Sequence, residues 1–491
     1  MRDWLSLRAH ATPKATAISK AETAEPSVSY AELDDRVETL AGRLAAAGVG
    51  VDDPIAICAG TRPEFVAVVH AAQRLGGVLV PVNARLTDAE IETRLDRIEP
   101  ATVVCERDTE TAVCAATDMT PLSLDDPVAG ATELSGTTPE PFDLPEWAPD
   151  DPLVVLFTSG TTGEPKGVVL TLANVLASAT ASAFRLGLRA GECWHVPLPM
   201  YHMGGLAPVY RSVLYGTRLS VQREFDPEET LSALSAVDAG AVSLVPTMLD
   251  RLLDAGTIPD LRFALVGGAP CPPELVTRAQ DRGVPVAPTY GMTEAASQIA
   301  TARPGEAREA PESVGNPLMF AQVTVVDRTG AVCETGESGE LVVSGPMVTP
   351  GYLDEGTTER RFGTRGLRTG DRGYRDSTGR LYVQGRVDDT IITGGENVHP
   401  GEVESTLRSH PAVAGCAIVG IPDPEWGQRV GAVVVSADGA TPTAESLETY
   451  CRDRLAGYKC PRTIDFAETL PRTASGTVDR DAVLARLVGY E

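Results

Sequence analysis

Apolar and polar positions near the start of the chain alternate between a helical and an extended pattern. Ser29 and Glu32 have the spacing of a capping box, which predicts a helix that ends near Gly48. The segments after it predict a strand, a helix and a second strand, at residues 54–58 (PIAIC), 64–75 and 76–82 (GGVLVPV). Because strands and helices alternate, we expect an α/β fold with a largely parallel sheet.

The middle of the chain repeats one theme, a buried strand that runs into a loop of small or polar residues. It occurs at residues 153–160 (LVVLFTSG), 243–248 (SLVPTM) and 262–270 (RFALVGGAP). Residues 106–151 differ, because they are rich in Thr, Pro, Asp and Glu. We expect this stretch to form a loop or a weakly ordered connection rather than a linker between domains.

The pattern changes twice toward the C-terminus. After about Val314, the runs QVTVVD, GELVVSG and LYVQG predict an antiparallel subdomain of short strands. Beyond Arg386 the pattern predicts a helix, two strands and a helix, at residues 401–410, 414–420, 430–436 and 444–457. We therefore expect a large N-terminal α/β domain with mixed or parallel sheets at residues 1–385. A small, mobile α+β domain should follow at residues 386–491.

Length and composition agree with a globular protein of more than one domain. Domains run to roughly 100–200 residues each, so 491 residues predict at least two. No apolar run is long enough to span a bilayer, and the first residues (MRDWLSLRAH) lack the apolar core of a signal peptide. A net charge of -26 argues against nucleic acid as a partner, because phosphates need Lys and Arg to neutralise them.

The acidic charge is spread along the whole chain and is accompanied by very few lysines. Lys14, Lys20, Lys166 and Lys459 are the four lysines of the sequence. Two interpretations stay open: a merely soluble acidic protein, or adaptation to a salt-rich cytoplasm, where salt screens self-repulsion. We adopt the second interpretation as a hypothesis. It concerns the habitat of the organism and says nothing about the chemistry of the protein.

The nine cysteines are scattered, odd in number and without a CxxC pair. This pattern is typical of reduced thiols and excludes a zinc site of the usual spacing. It predicts a cytoplasmic protein.

The segment 158–167 (TSGTTGEPKG) carries the strongest chemical signal. Its three glycines and four hydroxyl residues follow a buried strand, and Lys166 adds a cation. Glycine lets the backbone approach an anion closely, and hydroxyl and amide groups bind phosphate oxygens. A Walker P-loop is excluded, because it needs Gly directly before Lys and Ser or Thr after it, whereas Pro165 and Gly167 occupy these places.

This segment resembles the signature phosphate loop of the adenylate-forming enzymes, which include acyl–CoA synthetases, luciferases and peptide-synthetase adenylation domains. Five further segments resemble that family in the same order: PMYHMGGL (199–206), GGAP (267–270), TYGMTEAA (289–296), TGD (369–371) and GRVDDTIITGGENVHPGEVE (385–404). The resemblance covers nearly the whole chain. It implies nucleotide contacts at Thr158, Ser159, Gly160, Thr161, Thr162, Gly163, Lys166, Gly267, Gly268, Ala269, Thr289, Tyr290, Gly291, Met292, Thr293, Asp371 and Arg386.

The resemblance also implies individual roles. His202 and Ser297 would border the acyl pocket, and Glu294 would hold magnesium. Asp371 would bind the ribose hydroxyls, and Asp388 would be the hinge of the mobile domain. Taken alone, each has a simpler interpretation: His202 as a packed histidine, Glu294 as a helix cap, and Asp388 as part of a turn.

The residue types also suit the chemistry independently of the family. A carboxylate is a poor electrophile, and its attack on the ATP α-phosphate creates an acyl adenylate with AMP as the leaving group. Charge on phosphoryl oxygens dominates this barrier, so metal, cations and backbone amides should supply the catalysis. We expect ATP, Mg²⁺ and CoA as cofactor and substrates, a small carboxylic acid as the partner, and catalytic roles for His202, Lys166, Glu294 and the residue at position 477. No oligomeric state is predicted.

Position 477 departs from the family. Members usually carry lysine there, in a segment like PRTASGK, whereas residues 471–480 read PRTASGTVDR and place Thr477 at that position. Three explanations stay open. The protein tolerates slow adenylation, another cation (Arg472, Arg480 or Lys459) substitutes for the lysine, or adenylation has been lost.

Three segments, 3–13, 193–206 and 288–301, are more similar to the 2-succinylbenzoate–CoA ligase family of menaquinone biosynthesis than to fatty-acid ligases. That acid has two carboxylates, and the one that does not react needs a cation. Arg211 follows His202 on a predicted helix and is our candidate; a solvated arginine is the alternative. Other functions left open are a ligase for another aryl or medium-chain acid, a nucleotide-binding protein that has lost adenylation, and an adenylation domain that loads a carrier protein.

Overall fold

The computed structural model describes residues 3–19, 27–158, 165–387, 389, 391–393, 396–398, 400–423, 426–455, 457–473 and 476–489. Contacts along the chain define two compact units. Unit 1 comprises Met1–Val323 and Val343–Leu367, and unit 2 comprises Thr324–Val342 and Arg368–Glu491. These units are defined by contacts alone, so the functional boundary expected at residues 385 and 386 stays a prediction. Among the described residues, no helix has both the length and the apolar character that a bilayer span requires.

Unit 1 contains two mixed sheets. Their strands are β1 (Thr16–Ser19), β2 (Val28–Ser29), β3 (Pro54–Cys58), β4 (Val78–Val82), β5 (Thr102–Cys105), β6 (Leu122–Ser123), β7 (Thr132–Glu133), β8 (Pro152–Thr158), β9 (Lys166–Thr171), β10 (Cys193–Val196), β11 (Arg218–Val221), β12 (Ala239–Leu244), β13 (Phe263–Val266), β14 (Val286–Met292), β15 (Ser297–Thr301) and β16 (Asn316–Pro317), to which a later strand of the chain is added.

The remaining strands are short in the middle of the chain and longer near its end. They are β17 (Gln322–Val326), β18 (Gly339–Ser344), β19 (Gly351–Tyr352), β20 (Phe362–Gly363), β21 (Gly366–Arg375), β22 (Leu381–Arg386), β23 (Ile391–Thr393), β24 (Glu396–Val398), β25 (Val413–Asp423), β26 (Gly427–Ser436) and β27 (Thr463–Phe466).

The helices are α1 (Trp4–Ala11), α2 (Tyr30–Ala46), α3 (Pro63–Leu75), α4 (Asp88–Ile98), α5 (Arg107–Ala115), α6 (Leu172–Leu186), α7 (Met203–Tyr215), α8 (Pro227–Ala236), α9 (Pro246–Ala255), α10 (Pro273–Asp281), α11 (Pro304–Glu309), α12 (Glu355–Arg361), α13 (Pro400–Arg408), α14 (Ala444–Arg452) and α15 (Arg480–Val488). The predicted capping box is confirmed at the start of α2, where the Ser29 side chain accepts from the Glu32 amide and Glu32 accepts from the Ser29 amide.

The first sheet has the strand order β16-β15-β14-β13-β12-β10-β11-β1-β2, and the second β19-β9-β8-β4-β3-β5-β6-β7. Their central strands are parallel, while β15, β16, β2, β9 and β19 run antiparallel to their neighbours. One buried cluster contains residues of both sheets, among them Ile57, Trp194 and Leu156. The predicted α/β architecture with mixed sheets is confirmed.

The prediction of a loop at residues 106–151 is wrong for residues 107–136, whereas residues 137–151 contain no helix or strand. Helix α5 begins at Arg107, and the short parallel strands β6 and β7 extend the second sheet. The buried Glu110 carboxylate orders the segment before β7, because it accepts hydrogen bonds from the amides of Val128, Ala129 and Ala131 at 2.6–3.1 Å. Trp147 further fixes the stretch by donating from its indole nitrogen to the carbonyl of Gln73 at 2.9 Å.

The short-strand region expected after Val314 is confirmed, since β17, β18 and β22 coincide with the three predicted runs. Strand β21 pairs antiparallel with both β20 and β22. Within unit 2, strands β24-β23-β26-β25 form a sheet that β27 extends. Helices α13 and α14 and strands β25 and β26 correspond to the predicted elements, whereas β27 and α15 were not predicted. The small α+β architecture is confirmed.

Candidate active site

The carboxyl ends of four parallel strands lie side by side on one edge of the first sheet. These strands are β10, β12, β13 and β14. His202 follows β10, Gly267–Ala269 follow β13, and Thr289–Met292 complete β14. Ligands of open α/β sheets bind at this edge, in the crevice outside the carboxyl ends of the strands. Three separate predicted motifs therefore converge at one place in unit 1.

Glycine is required where two of these motifs approach each other. A Cβ atom on Gly267 would lie 2.5 Å from the Thr289 methyl carbon, and one on Gly291 would overlap the carbonyl oxygen of Ser297. Gly268 adopts a left-handed conformation with φ of +78°. Glycine consequently allows these segments to pack closely at this edge.

Thr289 lies on β14, Thr293 lies in the turn that follows it, and Ser297 begins β15. The Thr289 hydroxyl bonds the Ala300 carbonyl at 3.0 Å and the Thr301 hydroxyl at 2.8 Å, which fixes the strand end. Ser297 has a φ of +119°, a conformation that non-glycine residues rarely adopt. Such strained residues cluster at functional sites. The predicted nucleotide-binding residues from Thr289 to Thr293 are half-buried, so a ligand can reach them.

The predicted phosphate loop connects β8 and β9. These strands form an antiparallel hairpin in which Thr158 is the direct partner of Lys166. Both residues are half-buried at the mouth of the loop. The five predicted contacts between them, Ser159, Gly160, Thr161, Thr162 and Gly163, lie outside the described residues. The hairpin therefore brings the first hydroxyl and the lysine of the motif to one end of the second sheet.

Glu294, the predicted magnesium ligand, is almost fully buried, with 6% of its surface exposed. The Tyr352 hydroxyl donates to its Oε1 at 2.8 Å, and the Thr349 amide donates to its carbonyl at 2.7 Å. Burial, followed by the Glu294 charge, raises the pKa of Tyr352 far above its usual 10, so this phenol is a hydrogen-bond donor at neutral pH. Neither Thr349 nor Tyr352 was predicted, because no local pattern links either residue to Glu294.

His202 lies at the N-terminus of α7, where it is the N-cap residue. Its ring packs edge-on against Tyr201, with centroids 4.9 Å apart. Crowding by protein atoms, followed by the charge of Arg85, lowers the pKa of His202 below its ordinary 6.5. The imidazole is therefore neutral at neutral pH, and the residue is exposed at the start of α7. A packed core histidine is excluded.

Arg211 lies deep in the core on α7, so the alternative of a solvated arginine is wrong. Only 2% of its surface is exposed. Its Nε and Nη2 atoms have no hydrogen-bond partner in the described part of the chain, and neither has the neighbouring Tyr210 hydroxyl. The guanidinium carbon lies 5.7 Å from the Trp194 ring. Burial lowers the pKa of Arg211 from 12.5 to about 10, yet the group stays charged at neutral pH.

Unit 2 brings together two of the predicted nucleotide-binding residues. Asp371 on β21 and Arg386 on β22 are direct partners across the strand pair. The Arg386 Nη1 atom lies 2.9 Å from Asp371 Oδ1 and also donates to the Thr369 carbonyl at 3.1 Å. This ion pair orients the carboxylate. The predicted hinge, Asp388, lies outside the described residues.

Thr477 lies in a tight hairpin near the C-terminus. Its hydroxyl is 2.7 Å from the Thr473 hydroxyl, and its carbonyl accepts from the Thr473 amide at 2.8 Å. Of the two flanking arginines, Arg480 is engaged within unit 2, with Asp389 and Glu404 both at 3.1 Å. Arg472 donates to the Gly476 carbonyl at 2.7 Å on the exposed side of the hairpin.

Comparisons with known proteins identify the family. The AMP-binding enzyme family matches residues 5–353, and the AMP-binding enzyme C-terminal domain matches residues 402–477. The chain is 37% identical to the 2-succinylbenzoate–CoA ligase of Bacillus cereus strain Q1, over 97% of this chain and 96% of the relative.

Solved structures agree with this assignment. The o-succinylbenzoate CoA synthetase (MenE) of Bacillus subtilis, in complex with the acyl-adenylate intermediate OSB-AMP, superimposes with a TM-score of 0.91 at 35% identity, covering 98% of both chains. ATP-bound MatB from Rhodopseudomonas palustris also gives a TM-score of 0.91, at 28% identity over 99% of both chains. The chain belongs to the AMP-binding enzyme family.

Proposed function

We propose that this protein is an ATP-dependent acid–CoA ligase that converts 2-succinylbenzoate to its CoA thioester in two steps, through an acyl adenylate. Family membership supports the adenylate chemistry. The named activity of the Bacillus relatives, which match over nearly the full length of both chains, supports the acid. The fold alone does not select the acid, since MatB has the same fold.

Arg211, which is buried and has no hydrogen-bond partner for Nε and Nη2 among the described residues, is the observation that carries the substrate assignment. A guanidinium without a partner in a protein interior is strongly unfavourable, because the charge has lost its water. A carboxylate of the substrate would supply the missing acceptor. Arg211 lies on the helix that begins after His202, about two and a half turns from that residue by helical periodicity. A dicarboxylic acid fits this arrangement, with its reacting group near His202 and Ser297 and its other carboxylate toward Arg211.

The proposed nucleotide site uses the edge of the first sheet and the hairpin of the second. Thr158, Lys166 and Thr293 would contact phosphate oxygens, and the exposed backbone at Gly267–Ala269 would lie against the adenine. In unit 2, the Asp371 carboxylate, oriented by Arg386, would accept hydrogen bonds from the ribose hydroxyls. The predicted contacts at Ser159–Gly163 remain part of this proposal on sequence grounds.

The residues present fit one magnesium ion held mainly by the nucleotide. Glu294 offers a hard carboxylate oxygen, with Tyr352 bonded to its other side. No group of three or more metal-binding side chains was found in the described ranges, and magnesium bound to phosphates, water and one carboxylate does not require such a group. When bound, the ion would neutralise charge on the phosphate oxygens.

In the first step, the protein holds the acid and ATP so that the carboxylate faces the α-phosphate. Lys166 stabilises the charge that develops on phosphate oxygens. Thr477 can donate only a neutral hydrogen bond at the position where relatives carry lysine, and such a bond is weaker than a charge-assisted one. Since Arg480 is held by Asp389 and Glu404, slow but functional adenylation is the explanation that we favour.

In the second step, the CoA thiolate attacks the adenylate carbonyl, and AMP leaves. This step needs a different set of groups around the same carbon. A C-terminal domain of residues 386–491 that pivots at Asp388 would exchange the two sets. The Gly394-Gly395 pair that follows in the sequence suits a hinge, because glycine tolerates large dihedral changes.

The cellular setting is part of the same proposal. The nine cysteines are scattered without a CxxC pair, and ATP and CoA are intracellular substrates, which together support a cytoplasmic location. The net charge of -26 supports adaptation to a salt-rich cytoplasm, where dissolved ions screen the repulsion between acidic side chains.

A screen of carboxylic acids with ATP and CoA in high salt, read by AMP release and by thioester formation, tests the function. We expect 2-succinylbenzoate to give the highest kcat/KM among aryl and medium-chain acids. A higher value for a monocarboxylic aryl or medium-chain acid would assign that acid instead. AMP release without thioester would favour transfer to a carrier protein, and no adenylation of any acid would favour a protein that only binds nucleotide.

A further inference from the structure

The segment 346–352 links the predicted metal ligand to the strand that carries Lys166. We call this segment the clasp. Its first part is held by Asn174, whose Nδ2 atom donates to the Pro346 and Val348 carbonyls, both at 2.9 Å. Its last part, β19, pairs with β9, so that Tyr352 is the partner of Val168. The clasp is therefore anchored to helix α6 and to the phosphate-loop hairpin at the same time.

Two residues of the clasp contact Glu294 directly. The Thr349 amide donates to the Glu294 carbonyl at 2.7 Å, and the Thr349 hydroxyl also bonds the Val169 carbonyl of β9. The Tyr352 hydroxyl donates to the Glu294 carboxylate at 2.8 Å. One contact fixes the backbone of Glu294, and the other fixes its side chain.

Tyr352 is itself held rigidly. It is 6% exposed, and its amide donates to the Thr358 hydroxyl at 2.9 Å. Arg361, on the neighbouring helix α12, also bonds the phenol oxygen. Because a guanidinium can only donate, the phenol accepts from Arg361 and directs its own proton to Glu294. The hydrogen bond to Glu294 therefore has a defined direction.

We propose that Tyr352 is a positioning residue that orients the Glu294 carboxylate for magnesium, an inference that rests on the proposed function. The phenol occupies one side of the carboxylate and restricts rotation of the side chain. The other carboxylate oxygen is then presented to the ion in one orientation. Partners of metal ligands act in this way, and their loss typically lowers metal affinity or activity about 10- to 100-fold.

The test is the magnesium dependence of ATP binding, measured by calorimetry at stepped magnesium concentrations. Tyr352→Phe removes one oxygen and retains the ring that fills the site. We expect the magnesium concentration at half-saturation to rise about 10-fold or more. AMP affinity without magnesium should stay within about twofold, which also verifies folding. In a Glu294→Gln background, Tyr352→Phe should add no more than about twofold, because the oriented carboxylate is already absent.

Tyr382→Phe is the matched control. That phenol donates to the Asp376 carboxylate at 3.2 Å in a turn of unit 2, so its loss removes the same kind of bond elsewhere. The inference is overturned if Tyr352→Phe shifts the magnesium midpoint no more than Tyr382→Phe does, while Glu294→Gln shifts it strongly. It is also overturned if AMP affinity falls by the same factor as magnesium affinity. If Glu294→Gln leaves the midpoint unchanged, the metal assignment of the proposed function fails and this inference fails with it.

Discussion

Replacing Arg211 by methionine should stabilise the protein without ligand and impair its use of a dicarboxylic acid. Burial lowers the pKa of Arg211 from 12.5 to about 10. Because the folded state disfavours the cation, the penalty is fully present below pH 10 and declines as pH rises toward 12.5. One pKa unit corresponds to about 1.4 kcal/mol, so the charged group destabilises the fold by about 3 kcal/mol at neutral pH. Methionine has a similar length and no charge, so it removes this penalty.

The same substitution leaves the substrate carboxylate without its cation. Breaking a buried ion pair from one side costs about 3–5 kcal/mol, which corresponds to at least about a 10²-fold loss in kcat/KM for 2-succinylbenzoate. An aryl acid with a single carboxylate has no group to lose at this position. We therefore expect its kcat/KM to change little or to improve.

The assay combines thermal unfolding of the free protein with kinetics on both acids. Arg251→Met is the matched control, because Arg251 also stacks on an aromatic ring, 5.1 Å from Phe225, but is exposed. This control should leave both measurements nearly unchanged. A lower unfolding temperature for Arg211→Met, together with equal losses on the two acids, would show that the guanidinium is structural and refute the reasoning.

Three further predictions concern the reaction itself. Lys166→Ala and Glu294→Gln should each slow adenylation by about 10²-fold or more without unfolding the protein, and unchanged pyrophosphate exchange in both would remove the ATP-site assignment. Thr477→Lys should speed adenylation by up to about 10²-fold and leave the conversion of supplied acyl adenylate to thioester unaltered. If Thr477→Lys does not speed adenylation and Arg472→Ala abolishes pyrophosphate exchange, Arg472 is the substitute for the lysine. Asp388→Pro should impair one half-reaction and spare the other, since proline fixes φ, and proportional losses in both would contradict a hinge.

Local patterns predicted much of this fold, because their causes are local. The capping box at Ser29 and Glu32 is complete within four residues, and it forms as predicted. The strand–helix alternation of the first 100 residues is likewise confirmed. The order of residues 107–136 was missed because it depends on a distant group. The Glu110 carboxylate that binds three later amides is 18–21 residues away from them, and composition does not report such a contact.

In the candidate site, too, features with local causes were predicted and features that depend on distant contacts were not. Motif order indicated that Thr289–Thr293 and Gly267–Ala269 belong to one site, and the structure brings both to one sheet edge, at the ends of the parallel strands β14 and β13. The burial of Arg211 and the bond from Tyr352 to Glu294 depend on packing between segments that are distant in the sequence. Tyr352 and Glu294, for example, are 58 residues apart. Helical spacing placed Arg211 on α7 but left open whether it faces water or the core. Only the three-dimensional arrangement distinguishes these alternatives.

The central claim, that this chain activates 2-succinylbenzoate as an adenylate and transfers it to CoA, is tested most directly by a coupled measurement on the purified protein. Acid-dependent exchange of pyrophosphate into ATP and CoA-dependent thioester formation are followed in parallel in high salt. We predict that 2-succinylbenzoate supports both, with thioester and AMP formed in equal amounts. Thioester from supplied acyl adenylate, with no exchange for any acid, would restrict the activity to the second half-reaction and contradict the account.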